Sequence, residues 1–296
     1  MRFGLLDFLW VDHGVSASAR VQETMRLMAR ADSLGFVRYW VGEHHLPGYA
    51  SASPEVLIAA GLQNTRNIRL GSGVLLLGYR DAFRTALDFR ALCAFGDRVD
   101  LGMGRGRADR LGNHVLLSEH HPSWPDDGLF PVDAFRARAS QLAGFLQGGV
   151  AGVSCMPDDA PQPQLWICGA ERSATLAAEL GAAFCYTLFH PGLKSAEVLH
   201  RYRTEFRARH PGLSPYASIA VAGSVTRTRS EADQVRAAHR YMAYWPDIVA
   251  TTDVAADELG ALCALHGPDE VLWLDIAVST DQRLASMERL SDISQP

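Results

Sequence analysis

Apolar residues along this chain alternate between two rhythms. Short continuous runs (Phe3-Gly4-Leu5-Leu6, Val37–Val41, Ile68–Leu77, Arg98–Met103, Leu165–Cys168, Ala183–Leu188, Tyr216–Ala222 and Val271–Ile276) read as strands. Between them, apolar positions recur at helical spacing, as in Val21, Met25, Met28 and Leu34, closed by Gly35. Helices are expected over about 18–34, 54–65 (with Pro54 in the first turn), 82–95, 132–147, 172–180, 195–209, 230–244, 254–266 and 281–290. Residues 105–131 and 148–163 hold few apolar repeats and read as loops.

The strand runs are apolar throughout rather than alternating, the pattern of parallel strands covered on both faces. Eight strands, each followed by helix, match an α/β fold of the (β/α)8 TIM-barrel type better than a doubly wound sheet. No linker interrupts the series, so residues 1–296 read as one barrel domain with a long loop after the fourth strand.

Charge and composition narrow the chemistry. The 28 basic residues comprise Lys194 and 27 arginines, against 33 acidic residues, giving a net charge of −5. Lys194 has no P-loop glycines before it, and an imine-forming enzyme would have to use that one side chain. A mildly acidic chain without a basic block is a poor partner for nucleic acid. No run approaches the ~20 apolar residues of a membrane span, and the first residues lack a signal-peptide pattern. Cys93, Cys155, Cys168, Cys185 and Cys263 are odd in number, widely spaced and without C-x-x-C, so they are expected to be reduced thiols of a cytoplasmic protein.

In a barrel of this kind, chemistry sits at the C-terminal ends of the strands. Glu43-His44-His45 follows the second strand; histidine suits proton transfer near neutral pH, though the pair could also serve loop hydrogen bonds. Adjacent histidines diverge, so at most one should face a ligand. A second triplet, Glu119-His120-His121, with His13 and His114, raises a metal reading, but neither triplet has metal-ligand spacing and no metal is expected. Gly102-Met103-Gly104-Arg105-Gly106-Arg107 opens a loop rather than a helix, which favours an anion site over a dinucleotide fingerprint. Cys168-Gly169-Ala170-Glu171-Arg172-Ser173 joins a strand to a helix, as a phosphate cradle or an ordinary N-cap. Gly71-Ser72-Gly73-Val74 permits close ligand approach or a bulge.

Several stretches together resemble the bacterial luciferase-like flavin monooxygenases: Tyr39–His45 with Ser53–Ala60, Ile68–Leu77, Arg98–Gly106, and Gln164–Ala170 with Ala177–Gly181. The resemblance implies a dimer packed through the second and third helices, and reduced FMN as cofactor, acting with O2 through a C4a-peroxyflavin. It implies His44 as the catalytic acid or base. Gly73-Val74 matches a frequent non-proline cis peptide beneath the flavin, Arg105 a phosphate-binding arginine, and Gly169, Ala170 and Ser173 the other phosphate-binding stretch. Here Gly169 and Ala170 replace an acidic residue and a serine of luciferase itself. Asp7 and Ser72, at the ends of the first and third strands, complete the expected cofactor contacts. Leu5-Leu6-Asp7 is similar to short members that act as natural-product tailoring oxygenases.

Phe8, Trp10, Leu76 and Tyr79 are the expected substrate contacts, with Trp124 from the long loop. The stretch Arg107–Phe130 diverges from the family, so no substrate transfers. A separate flavin reductase is expected to supply FMNH2, since no second nucleotide site is visible. The alternatives are an F420-dependent hydride-transfer oxidoreductase on the same barrel and a non-catalytic flavin-binding protein.

Overall fold

The computed structural model describes residues 1–11, 14–45, 47–106, 130–149, 152–190, 194–238 and 248–294. Its elements run β1 (Phe3–Asp7), α1 (Ala17–Ser33), β2 (Arg38–Val41), α2 (Pro54–Asn64), β3 (Arg69–Leu76), a 3-10 turn (Leu77–Tyr79), α3 (Ala82–Cys93) and β4 (Val99–Gly104). There follow α4 (Val132–Leu146), β5 (Gln164–Gly169), α5 (Glu171–Glu179), β6 (Ala183–Thr187), α6 (Glu197–Glu205) and β7 (Ala217–Thr226). The series ends with α7 (Arg229–Ala238), β8 (Ile248–Thr251), α8 (Thr252–His266), β9 (Glu270–Asp275) and α9 (Thr280–Ser294).

Local chemistry sets several boundaries. Pro54 occupies the first turn of α2, and the Asp81 side chain caps α3 by accepting from the Arg84 amide at 2.8 Å. Gly267, at φ +59°, closes α8 in the left-handed conformation that spares a side chain its clash.

By contacts the chain divides into two compact units. The first comprises Met1–Asp7, Arg26–Tyr39 and Ile167–Pro296. In it β1 pairs with β9, β9 with β7, and β7 with β6, all in parallel. All ten residues of β7 are buried, as the uniform apolar runs lead one to expect. The last four residues of β7 pair instead with β8, Gly223 opposite Ile248 through Thr226 opposite Thr251. Gly223 is where β7 changes partner: a Cβ there would lie 1.8 Å from the Ile248 carbonyl oxygen, so no larger residue fits. The Val225 amide donates to Ser286 Oγ at 2.9 Å, and the Arg289 guanidinium donates to the Val225 carbonyl at 3.3 Å.

Strand β8 is a departure from the expected eight. Ile248-Val249-Ala250-Thr251 is only four residues long and passes into α8 at Thr252 without a Gly or Pro between them. Nothing local separates it from the helical pattern that follows. Helix α6 is also shorter than expected, ending at Glu205.

The second unit comprises Phe8–Met25 and Trp40–Trp166. Here the strand order is β5-β4-β3-β2. The β3–β4 register runs Leu70↔Val99, Gly71↔Asp100 and Ser72↔Leu101, then resumes at Leu75↔Met103. Strand β3 therefore carries one extra residue, a bulge, at Gly73-Val74. The Trp40 and Trp166 rings meet edge to face at 4.9 Å, and Trp40 Nε1 donates to the fully buried Asp100 at 2.9 Å. Arg98 donates to the Leu62 and Thr65 carbonyls, which satisfies the C-terminal end of α2.

Candidate active site

The β3 bulge and the turn after it are held by one residue, Glu43, through its amide and its carboxylate. Glu43, just past β2, donates its amide to the Val74 carbonyl at 3.0 Å, and the Gly73–Val74 peptide is cis, as the resemblance implies. The Glu43 side chain is 1% exposed. Its Oε2 accepts from the Leu76 amide at 2.8 Å and from Arg80 Nε at 2.9 Å; its Oε1 lies 2.8 Å from His45 Nε2. Arg80 reaches on to Glu55 Oε1 at 3.1 Å and to the Ala52 carbonyl at 3.2 Å. Burial alone lowers the pKa of Arg80, but Glu43 and Glu55 outweigh it and hold the guanidinium above its ordinary value. A buried carboxylate is tolerable only with such a full set of donors.

This assigns the two histidines different surroundings. His45 is taken by Glu43 and meets the Tyr79 ring edge to face at 5.5 Å. His44 stands between two aromatic rings. Tyr49 stacks on it at 4.1 Å with a 17° interplanar angle, and Phe8 meets it at 4.8 Å and 74°. Phe8 in turn contacts Trp10 at 5.8 Å.

The loops carrying these rings are clipped together. Trp10 and Tyr49 form an antiparallel bridge, the Val11 amide donates to the Gly48 carbonyl at 2.8 Å, and the Ala50 amide donates to the Leu9 carbonyl at 2.9 Å. Leu9, fully buried, sits at φ +55°. Arg20 Nε donates to the Trp10 carbonyl at 3.2 Å and so ties the first loop to α1. Gly42 leaves room for Phe8: a Cβ there would lie 2.6 Å from Phe8 Cδ1.

Past the bulge, Val74 is half-exposed and fills the space beside Gly104, where a Cβ would come within 2.5 Å of Val74 Cγ2. Leu76 is buried and Tyr79 half-buried, and both border Gly106 at φ +88°. Arg138 of α4 donates to the Leu77, Gly78 and Arg80 carbonyls and lies 4.9 Å over the Phe130 ring. Arg105 follows β4 and is half-buried. Ser72 is fully buried, and its hydroxyl donates to the Gly102 carbonyl and accepts from the Gly102 amide. These two bonds tie β3 to β4 just before the bulge.

In the first unit, β5 ends at Gly169 with φ +153°, a conformation that favours glycine, and a Cβ there would lie 2.4 Å from Ser173 Oγ. Helix α5 then begins at Glu171 with Ala170 as its N-cap and no side-chain cap. Arg201 draws Glu171 aside, bonding its carboxylate at 3.3 Å and its carbonyl at 3.1 Å. The Ser173 amide donates to the Ala170 carbonyl at 2.9 Å; a helix N-terminus beside a hydroxyl, with Arg201 close to the first-turn acid, suits an anion.

At the end of β1, Tyr39 Oη donates to Asp7 at 2.7 Å, and Asp7 lines a cavity of about 30 Å³ with Leu27 of α1, Asp275, and Arg283 and Met287 of α9. Asp275 accepts from Trp273 Nε1 at 3.2 Å and the Ala277 amide at 2.8 Å; desolvation pushes its pKa up to about 6.

The sequence reading gave no role to Tyr49, Arg80 or Arg138, and none to the carboxylate of Glu43. Trp124, His13, His114, Arg107 and Glu119–His121 lie outside the described residues. Among the described residues no cluster of three or more His, Cys, Asp or Glu side chains could hold a metal ion, and no helix is long and apolar enough to cross a membrane.

Comparison with known proteins fits this geometry. The profile of the luciferase-like monooxygenases matches residues 1–121. YwcH of Bacillus subtilis (strain 168), itself uncharacterized, is 30% identical over 244 residues, 79% of this chain and 71% of that protein. The N-acetyl-S-alkylcysteine monooxygenase of the same organism is 29% identical over 245 residues, 79% of this chain and 70% of that one. The crystal structure of apo-MsnO8 superposes with a TM-score of 0.88 at 26% identity, covering 99% of this chain and 98% of its own. The fold is accordingly the luciferase-like (β/α)8 barrel that the strand–helix alternation implied. From the motifs around Glu43 and the β3 bulge to the match along nearly the whole chain, the protein belongs to the luciferase-like monooxygenase family.

Proposed function

We propose that this protein is an FMNH2-dependent monooxygenase that uses O2 to oxygenate a small organic substrate, a natural-product intermediate in keeping with its short relatives. The observation that carries the reading is the His44 ring, held between Tyr49 and Phe8 next to the Gly73–Val74 bulge while His45 is occupied by Glu43. FMN, when bound, supplies the electrons that activate O2.

The chain's own residues have separable tasks. His44 gives or takes a proton at a ring nitrogen. Gly73, Val74 and Arg105 bind the cofactor, and Gly169, Ala170 and Ser173 take its phosphate. Phe8, Trp10, Leu76 and Tyr79 exclude water and present an apolar surface to the substrate. A separate reductase delivers FMNH2, and the protein works as a homodimer in the cytoplasm.

The test is anaerobic titration with FMNH2 and with reduced F420, followed by mixing with O2 while the flavin spectrum is recorded. Tight FMNH2 binding, and an oxygen-dependent spectral change that His44→Ala alters, are expected. Binding of F420 in preference to FMNH2 would replace this reading with hydride transfer. FMN binding with no oxygen-dependent difference between the wild-type protein and His44→Ala would leave a flavin carrier. Turnover with NADH and FMN alone would remove the separate reductase.

A further inference from the structure

We infer that Tyr49 is a positioning residue for the reaction, setting the plane of the His44 imidazole by stacking on its face. The inference rests on the reading that His44 moves the proton, and it names a residue to which neither the motifs nor the resemblance gave a part.

The geometry is specific to a parallel stack. Ring centroids 4.1 Å apart with planes 17° from parallel leave the imidazole little freedom to rotate about its Cβ–Cγ bond. A stack covers the faces of the imidazole, whereas its nitrogens lie on the edge. The contact therefore fixes the direction of the nitrogens without using them. Phe8, at 74°, supplies an edge-on wall.

Tyr49 is itself fixed from the backbone. Its bridge to Trp10, flanked by the Val11–Gly48 and Ala50–Leu9 hydrogen bonds, makes a short antiparallel clip between the loops after β1 and β2. On the other side of the histidine, the Glu43 amide is bonded to Val74 at 3.0 Å, so the main chain entering His44 is pinned to the bulge. Backbone and ring are thus held by different partners. Removing Tyr49 takes away the stacked face while leaving the main chain in place.

Tyr49→Leu removes the π face at similar bulk, and Tyr49→Phe keeps it while removing the hydroxyl. Tyr49→Met replaces Tyr49→Leu should that variant fail to fold. Each is compared with the wild-type protein by NMR of ring-labelled histidine without cofactor, His44 being assigned with His44→Gln. The expected result is that Tyr49→Leu changes the pattern of His44–Phe8 ring-to-ring NOEs, because the imidazole takes other orientations, and that Tyr49→Phe leaves it unchanged. In turnover with FMNH2, O2 and substrate, Tyr49→Leu is expected to lose roughly 10- to 100-fold in kcat, the scale of a misoriented group. Its flavin affinity should stay within about threefold of wild type, because uniform binding is not what the stack supplies. Tyr49→Phe should restore kcat to within about threefold.

Unchanged His44–Phe8 ring NOEs in Tyr49→Leu, or a Tyr49→Phe variant as impaired as Tyr49→Leu, would overturn the inference. A different failure marks the underlying reading: if the NOEs change as expected but His44→Ala retains full turnover, the stack stands and the catalytic role of His44 falls.

Discussion

Glu43 and Arg80 form an ion pair, Oε2 to Nε 2.9 Å, in which the carboxylate is 1% and the guanidinium 18% exposed. The same carboxylate meets the Leu76 amide and His45, so the turn after β3 and the second histidine share one anchor. Removing it strands three donors. Glu43→Ala is expected to cost about 3–5 kcal/mol, because it leaves a buried guanidinium short of its partner. Glu43→Gln keeps an acceptor but loses the charge and should cost roughly 2 kcal/mol. Urea denaturation of both variants checks the order; a Glu43→Ala protein within about 1 kcal/mol of wild type would show that the anchor carries no stability.

Asp275 gives a stability signature with a definite sign. Burial raises its pKa from 3.8 to about 6 in the folded protein. Its stabilising contribution is therefore fully present below about pH 4 and is lost as pH rises toward and through 6. A rise of that size corresponds to about 3 kcal/mol. Asp275→Asn keeps the size and an acceptor without the charge, so its stability relative to wild type should improve by about 2–3 kcal/mol between pH 4 and pH 7.5 and then level off. Denaturant titrations of both proteins across that range measure the difference directly. A flat difference would mean that the carboxylate ionises in the fold as readily as in the unfolded chain.

Gly169→Ala tests the phosphate cradle. The φ of +153° and the 2.4 Å approach to Ser173 Oγ oppose any side chain, and about 1–3 kcal/mol of destabilisation is expected. Displacement of Ser173 should weaken FMN binding about tenfold or more, the scale of one charge-assisted hydrogen bond. Riboflavin, which lacks the phosphate, should bind both proteins alike. Calorimetry with the two ligands separates these outcomes, and an equal loss for both would move the cradle's role away from phosphate.

How much of this was legible in the sequence follows from what each signal depends on. Strand and helix positions came from runs and periodicities that extend over many residues, with Pro54 and Gly35 as punctuation. Strand β8 was missed because four residues flowing directly into a helix carry neither period nor punctuation. Asp7 ends β1 and Ser72 lies within β3, and an unbroken apolar run such as Phe3–Leu6 does not reveal which partners such residues take. Their partners, Tyr39 and Gly102, lie about thirty residues away. The Glu43-His44-His45 triplet was visible, with the expectation that at most one histidine faces a ligand. The surroundings that distinguish the two come from Arg80 and Tyr49, neither of which belongs to a motif.

The overhang at the end of β7 bears on how the protein avoids sticking to copies of itself. Exposed strand edges are templates for pairing between molecules. Residues Gly223–Thr226 run past the pairing with β6 and reach the last β9 partner only at Gly223. One side of that stretch is taken by β8, and on the other the main-chain groups of Val225 are bonded to Ser286 and Arg289. The segment 248–251 thus covers the edge that the β7 overhang would otherwise present.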